Sequence, residues 1–353
     1  MPDPKAKPGS KPRYRPATSL PGIAAWLLLA WLTGANAAAT DPGIIGEHYP
    51  DGDADHPPPA EEIIAQVWYV NHLRAVRKFG IIHQGERYPY LVYRSRRGQY
   101  RFRTLDRMLK NDFPADSGIL AKDIAIFYYP MAVRGTGILI TDYRTPGKSQ
   151  SVQVWLPALR KVRRFPQPAH DDAYAGSDWT LGDVSLRKPE HERHELLRVE
   201  PFAKADGGGG TLHTIALPAA QRRHPFTDYV PEPSDEFRDR RCYVVRSHTR
   251  FKDFWYDYRI SWIDTERYAD YRTLYYKDDK LIKIVDRLWR PMKNRPPNPD
   301  IDDPRAVYWT LWYGKNLRSG HESMAVIPPG LSVWNTDIPD STWTESYLRR
   351  LRR

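Results

Sequence analysis

Alternation of apolar and polar positions is densest over residues 251–290. Read with a period of two, Phe254, Tyr256, Tyr258, Ile260 and Trp262 fall on one face of an extended strand, and Asp257, Arg259 and Ser261 on the other. A second run sets Tyr271, Thr273 and Tyr275 opposite Arg272, Leu274 and Tyr276, and Asp278-Asp279-Lys280 then turns the chain into a third run over 281–289. The same period recurs at 85–93, 98–107, 119–129, 137–143, 151–156, 242–249 and 308–313, with turn chemistry such as Arg96-Arg97-Gly98 and Thr145-Pro146-Gly147 between runs. Residues 61–73 carry helical spacing instead: Ile63, Ile64, Val67, Val70 and Leu73 share a face, Pro59 or Ala60 opens the helix, and Glu61 and Glu62 occupy its first turn. The pattern predicts an antiparallel meander with an amphipathic helix that needs an apolar surface. It shows no βαβ rhythm and no glycine-rich phosphate loop, which argues against nucleotide-dependent chemistry.

Composition supports a folded chain. The 353 residues are 41% hydrophobic and 12% aromatic, enough for a sizeable core, and the 32 prolines cluster in the leader and in loops such as 57–59, 231–233 and 291–299. The N-terminus changes the picture further. Lys5, Lys7, Lys11, Arg13 and Arg15 precede an apolar stretch over 20–32 and the small-residue site Ala35-Asn36-Ala37, the three parts of a secretory signal. The expected organisation is a signal peptide over 1–37, a flexible linker over 38–60 and a single domain over 61–353, located in the periplasm. Cleavage removes five basic groups and Asp3, so the net charge of +11 falls by four to +7. An exported protein of that charge meets anionic lipid head groups or acidic partner surfaces rather than nucleic acid. The lone Cys242 cannot close an internal disulfide and reads as a small buried strand residue.

Two further segments carry the most specific signal. Residues 154–164 read VWLPALRKVRR and residues 174–183 read YAGSDWTLGD. Together they resemble the "YLPALRRVRRI … F-x-GSD-x-x-x-x-D" block of the outer-membrane lipoprotein-sorting protein family, related in fold to the LolA and LolB carriers. RGTGIL at 134–139 is similar to that family's "KGTALL" strand, RCYVV at 241–245 with WID at 262–264 to its "C-Y-V … W-I-D" pair, and NTDIPDSTWT at 335–344 to its "IPDSLFT" ending. The resemblance spans roughly residues 61–353. It implies an α+β, mostly β fold: a strongly curved antiparallel sheet forming an incomplete half-barrel, with helices covering its concave side and a hydrophobic cavity between. It also implies a lipid or lipoprotein acyl chain as ligand, and an RND-type inner-membrane transporter or an outer-membrane acceptor as partner. The physics of the 174–183 block is structural: Gly176-Ser177-Asp178 makes a turn, and Asp183 can accept backbone or arginine hydrogen bonds.

Candidate chemistry adds little against this. His191-Glu192-Arg193-His194 lacks a zinc-protease motif and a third ligand, so it reads as a solvated charged loop. Asp51, Asp53, Asp55 and Glu62 fit calcium-loop spacing, yet His56 replaces the required glycine and Pro57 to Pro59 forbid the backbone. Asp257 and Asp264, seven apart, stand about 23 Å from each other in a strand and on opposite faces, which disfavours a glycosidase pair. The expectation is a monomeric, non-enzymatic carrier without metal or cofactor, its cavity lined by Phe254, Tyr256, Tyr258, Ile260, Trp262, Tyr271, Tyr275 and Trp309. The alternatives are an accessory protein of an RND-type lipid exporter and a glycan-binding or glycan-active protein that stacks sugars on the same aromatics.

Overall fold

The computed structural model describes residues 52–202, 212–216, 229–233, 237–292, 305–336 and 338–351. Its first element is α1 (Ala60–Asn71), with Pro59 ahead of it, Glu61 and Glu62 at its positive end and Ile63, Ile64, Val67 and Val70 buried along one stripe. Seven strands follow: β1 (Lys78–Ile81), β2 (Tyr90–Arg94), β3 (Tyr100–Lys110), β4 (Ile119–Tyr129), β5 (Gly137–Tyr143), β6 (Ser151–Leu156) and β7 (Lys161–Phe165). A segment of short helical turns then leads to β8 (Glu192–Pro201), β9 (Leu212–Ala216), β10 (Tyr229–Pro233), β11 (Arg241–Thr249) and β12 (Tyr258–Asp264). The chain finishes with β13 (Asp270–Lys277), β14 (Lys280–Pro291), β15 (Val307–Asn316), β16 (His321–Val326), β17 (Ser332–Trp334) and α2 (Glu345–Arg350). The expected runs at 119–129, 137–143 and 151–156 match β4, β5 and β6 at both ends.

One large antiparallel sheet runs in the order β7-β6-β5-β4-β3-β2-β16-β15-β14-β13-β12-β11-β8, with β1 and β17 joined beside β3 and the hairpin β9-β10 separate. It is not closed into a barrel: among the described residues β7 pairs with β6 alone and β8 with β11 alone. The sheet nevertheless curves. α1 lies against both β8 and β15, which four strands separate. Five flat inter-strand steps would span about 24 Å, and a helix is only about 10–12 Å thick. The sheet must wrap around α1, and register shifts at Thr104/Leu105, Trp262/Ile263, Tyr275/Tyr276 and Leu288/Trp289 supply bends. The observed architecture is the mostly β, open, curved sheet with few helices that the resemblance implied.

The convex face of β3 to β6 has its own cover. Met108, Ile124, Ile126, Leu139 and Trp155 form a cluster with Ile338, Trp343 and Leu348 from the C-terminal segment. Trp343 Nε1 donates to Met108 O at 3.0 Å, which satisfies the indole N–H inside this cluster.

Three local expectations are corrected. The run 85–93 becomes a strand only from Tyr90, because Gly85 lies at φ +59 within a turn closed by reciprocal backbone bonds between Gln84 and Arg87. The run through Phe254 becomes a strand only at Tyr258, since Asp253 at φ +52 breaks the extended path. The charged motif 191–194 is not a solvated loop. It opens β8 with Glu192 and His194 buried and Arg193 and Glu195 exposed, a period-two alternation written in polar residues. Part of the expected linker also packs: Tyr243 Oη donates to Asp53 O at 2.7 Å and Arg241 pairs with Asp55 at 2.9 Å. Cys242 is a buried strand residue, as its context implied.

Candidate functional site

The block 174–183 packs against the concave side of the sheet. Ser177 Oγ donates to Tyr174 O at 2.6 Å and Tyr174 N donates to Trp179 O at 2.8 Å, which closes the block into a compact turn. Trp179 is fully buried, packs edge-on against Trp312 at 6.0 Å, and rests on Gly314 of β15. A Cβ at Gly314 would approach Trp179 Nε1 to 2.8 Å, so only glycine lets the indole lie this close to the strand. Asp178 binds β16: its Oδ2 accepts from Ser323 Oγ at 2.6 Å and sits 2.6 Å from His321 Nδ1, while its N–H donates to Ser323 Oγ at 2.9 Å.

Beneath this block lies a cavity of about 200 Å³. Its floor is the concave face of β4, β5 and β6, through Ala125, Ile138, Ile140, Val152 and Val154; its roof includes Pro168, Ala173, Leu181 and Leu186. Register explains the sorting. Ala125 stands opposite Ile138, and Ile138 opposite Val154, so the three share the concave face, while Ile124 and Leu139 share the convex one. Burial is the reverse of a filled interior: Ile124 and Leu139 are buried, but Ala125, Ile138, Ile140 and Val154 keep accessible surface that opens into the cavity. The carboxylate in the lining, Asp123, is held in a two-pronged pair by Arg107 Nε and Nη2 at 2.9 and 2.7 Å. Tyr174 separates this cavity from a smaller one of about 60 Å³, lined by Leu91, Leu105, Trp309, Trp312 and Val184.

The concave face of the C-terminal half is polar and filled. Arg259 of β12 grips Glu192 of β8 at 2.7 and 2.9 Å, and Tyr256 Oη donates to the same carboxylate at 2.8 Å. Asp183 pairs with Lys283 of β14 at 2.5 Å and Arg187 at 3.2 Å, and accepts from Tyr275 Oη and Thr180 N. Burial alone would raise both carboxyls, but the neighbouring cations outweigh it. Glu192 is held at about 2 by Arg259 and Arg187, and Asp183 well below the usual range by Lys283 and Arg187. A general acid or base works best with a pKa near the operating pH; these carboxylates instead stay charged and paired, Glu192 tying β8 to β12 and Asp183 tying the 183–187 segment to β14. The space between this network and α1 is about 50 Å³, room for a water or two.

The eight residues expected to line a ligand wall do not form one. Tyr256 and Tyr275 belong to the charged network. Tyr271 stacks on Phe237 at 4.1 Å and donates to Asp264, and Phe254 packs in the loop against Tyr256 at 5.0 Å. Tyr258, Ile260 and Trp262 share the other face and are half-buried, with Tyr258 stacked on Tyr276 at 4.9 Å and Trp262 Nε1 donating to Glu200. Trp309 lines the smaller cavity. The alternation of β12 was read correctly and its face inverted, because Arg259 and Ser261 point inward, where Glu192 and Thr273 satisfy them. The residues that sequence reasoning missed are Ala125, Ile138, Ile140, Val152 and Val154; their alternation in three neighbouring runs was the available signal.

Comparison with known proteins agrees with this fold. A family model described only as an uncharacterized protein matches residues 120–230, and no curated protein sequence matches the chain. Among solved structures, a DUF1329 family protein from Desulfovibrio piger superposes with a TM-score of 0.55 at 15% identity, covering 82% of this chain and 99% of that one. A putative outer membrane lipoprotein-sorting protein domain from Vibrio parahaemolyticus gives a TM-score of 0.55 at 14% identity, covering 82% and 98%. A LolA superfamily protein from Nitrosomonas europaea gives 0.46 at 14% identity, covering 82% and 99%. The first two carry the fold assignment: this chain has the fold seen in the lipoprotein-sorting domain and in the DUF1329 protein, as its 154–183 block implied.

Proposed function

We propose that this protein is an exported, non-enzymatic carrier that shelters the acyl chain of an envelope lipid or lipoprotein in the cavity beneath residues 168–186. The observation that carries the reading is an apolar, solvent-open cavity of about 200 Å³ on the concave face of β4 to β6. Apolar cavities of ~150 Å³ stay dry and take up benzene, so this one has room for a segment of hydrocarbon. A carrier needs apolar area exchanged on transfer, worth about 25 cal/mol per Å², and no titrating residue. Among the described residues no helix is long and apolar enough to cross a membrane, and the signal read over 1–37 supports a periplasmic location. The relative from Vibrio parahaemolyticus, described as a lipoprotein-sorting domain, supports a cargo bearing acyl chains. An inner-membrane RND-type transporter or an outer-membrane acceptor belongs to this proposal as its expected partner.

The test is displacement of a fluorescent fatty acid. Ala125→Trp fills the cavity from its floor and is expected to weaken binding at least about tenfold, while Tyr258→Ala, on the opposite face of the sheet, leaves affinity unchanged. Unchanged affinity in a folded Ala125→Trp protein contradicts the site.

A further inference from the structure

The cavity reading leaves open what polar head its occupant carries, and β7 bears on that. In the β6-β7 pair Val154 stands opposite Arg163, Val152 opposite Phe165 and Leu156 opposite Lys161. Directly opposed residues share a face, so Lys161, Arg163 and Phe165 continue the concave wall that Val152 and Val154 begin inside the cavity. All three are exposed, Phe165 at 48%. Among the described residues neither the Lys161 nor the Arg163 side chain has a hydrogen bond or ion pair, whereas Arg164, on the convex face, pairs with Glu345 at 3.4 Å. Charges on a free edge strand guard it against pairing with another chain, and that alone accounts for basic residues on either face. It does not account for an exposed phenylalanine in the same row as two unpaired cations, with Phe165 opposite Val152 and Arg163 opposite Val154 of the cavity wall. The carboxylate of the lining, Asp123, is occupied by Arg107, so it does not offset them.

Resting on the carrier reading, we propose that Lys161 and Arg163 bind the anionic head, a carboxylate or phosphate, of an amphiphile whose chain enters the cavity across Val154 and Val152, beside Phe165. Phe165 flanks the chain where it crosses Val152, and the unpaired cations select anionic over neutral lipids.

The experiment uses the exported chain at neutral pH with cis-parinaric acid and its methyl ester, which share a chain and differ in charge. The wild type is expected to bind the acid about three- to fivefold more tightly than the ester, the size of an exposed ion pair. Lys161→Gln with Arg163→Gln should bind both at the ester's affinity, with an unchanged melting temperature. Lysophosphatidic acid should displace the acid, and inorganic phosphate in millimolar excess should not. Equal affinity for acid and ester in the wild type overturns the head-group site and leaves the carrier reading standing. Displacement by phosphate alone also overturns it, because the pair is then a free-anion site. Binding of neither probe removes the carrier reading and this inference with it.

Discussion

A methyl group added at Gly314 would sit 2.8 Å from the Trp179 indole nitrogen and 3.3 Å from two ring carbons, in a rigid strand on one side and under a fully buried ring on the other. Neither partner can yield by rotating a flexible side chain. Gly314→Ala is therefore expected to destabilise the protein by about 1–3 kcal/mol through overpacking, although replacing glycine in a strand usually helps. Denaturant unfolding checks this, and a stabilised variant would contradict the docking of Trp179 on β15. At this scale the sequence was partly legible. Glycine within an aromatic strand marks a close approach, and the 174–183 block was read as structural. What the glycine approaches was not legible, because the contact joins residues far apart in the chain.

Among the elements, β8 and β12 show why some strands were hidden. Strand alternation was sought as apolar against polar, and at Glu192, His194, Arg259 and Ser261 the inward residues are themselves polar. Such residues can be buried only as a set, each charge neutralised by one from another strand, and period-two reading of a single strand cannot see its partner. The start of β8, within residues 191–194, was taken for a loop, and the aromatic face of β12 was turned the wrong way. The Glu192–Arg259 pair that ties the two strands also makes them sensitive to acid. Its folded pKa of about 2 lies below the ordinary 4.5, so its contribution is fully present above pH 4.5 and is lost as pH falls toward 2. Melting temperatures measured across that window should fall for the wild type. Glu192→Gln, which breaks a buried pair at a cost of about 3–5 kcal/mol, should melt lower at neutral pH and lose less on acidification. An acid limb of the same steepness in both proteins would place the titrating groups elsewhere.

For the whole molecule, the open, curved sheet follows from features that were legible: many short alternating runs, one amphipathic helix to wrap, and turns at regular intervals. The position of the cavity was not legible, because it depends on what covers the sheet. The concave face is filled where charged side chains from residues 183–192 and α1 meet it, and hollow where small residues, Ala173 and Ala175 with Pro168, lie across β4 to β6. A cavity is a mismatch between two surfaces brought together only by folding, and neither strand pattern nor composition records it. Whether that hollow carries cargo decides the function. Native mass spectrometry of the protein purified from its own periplasm reads this directly. The predicted result is a chain beginning near Ala38, carrying an extra mass that organic extraction identifies as an acyl lipid and that Ala125→Trp abolishes. A periplasmic chain with no bound lipid, or a lipid retained undiminished by folded Ala125→Trp, would contradict it.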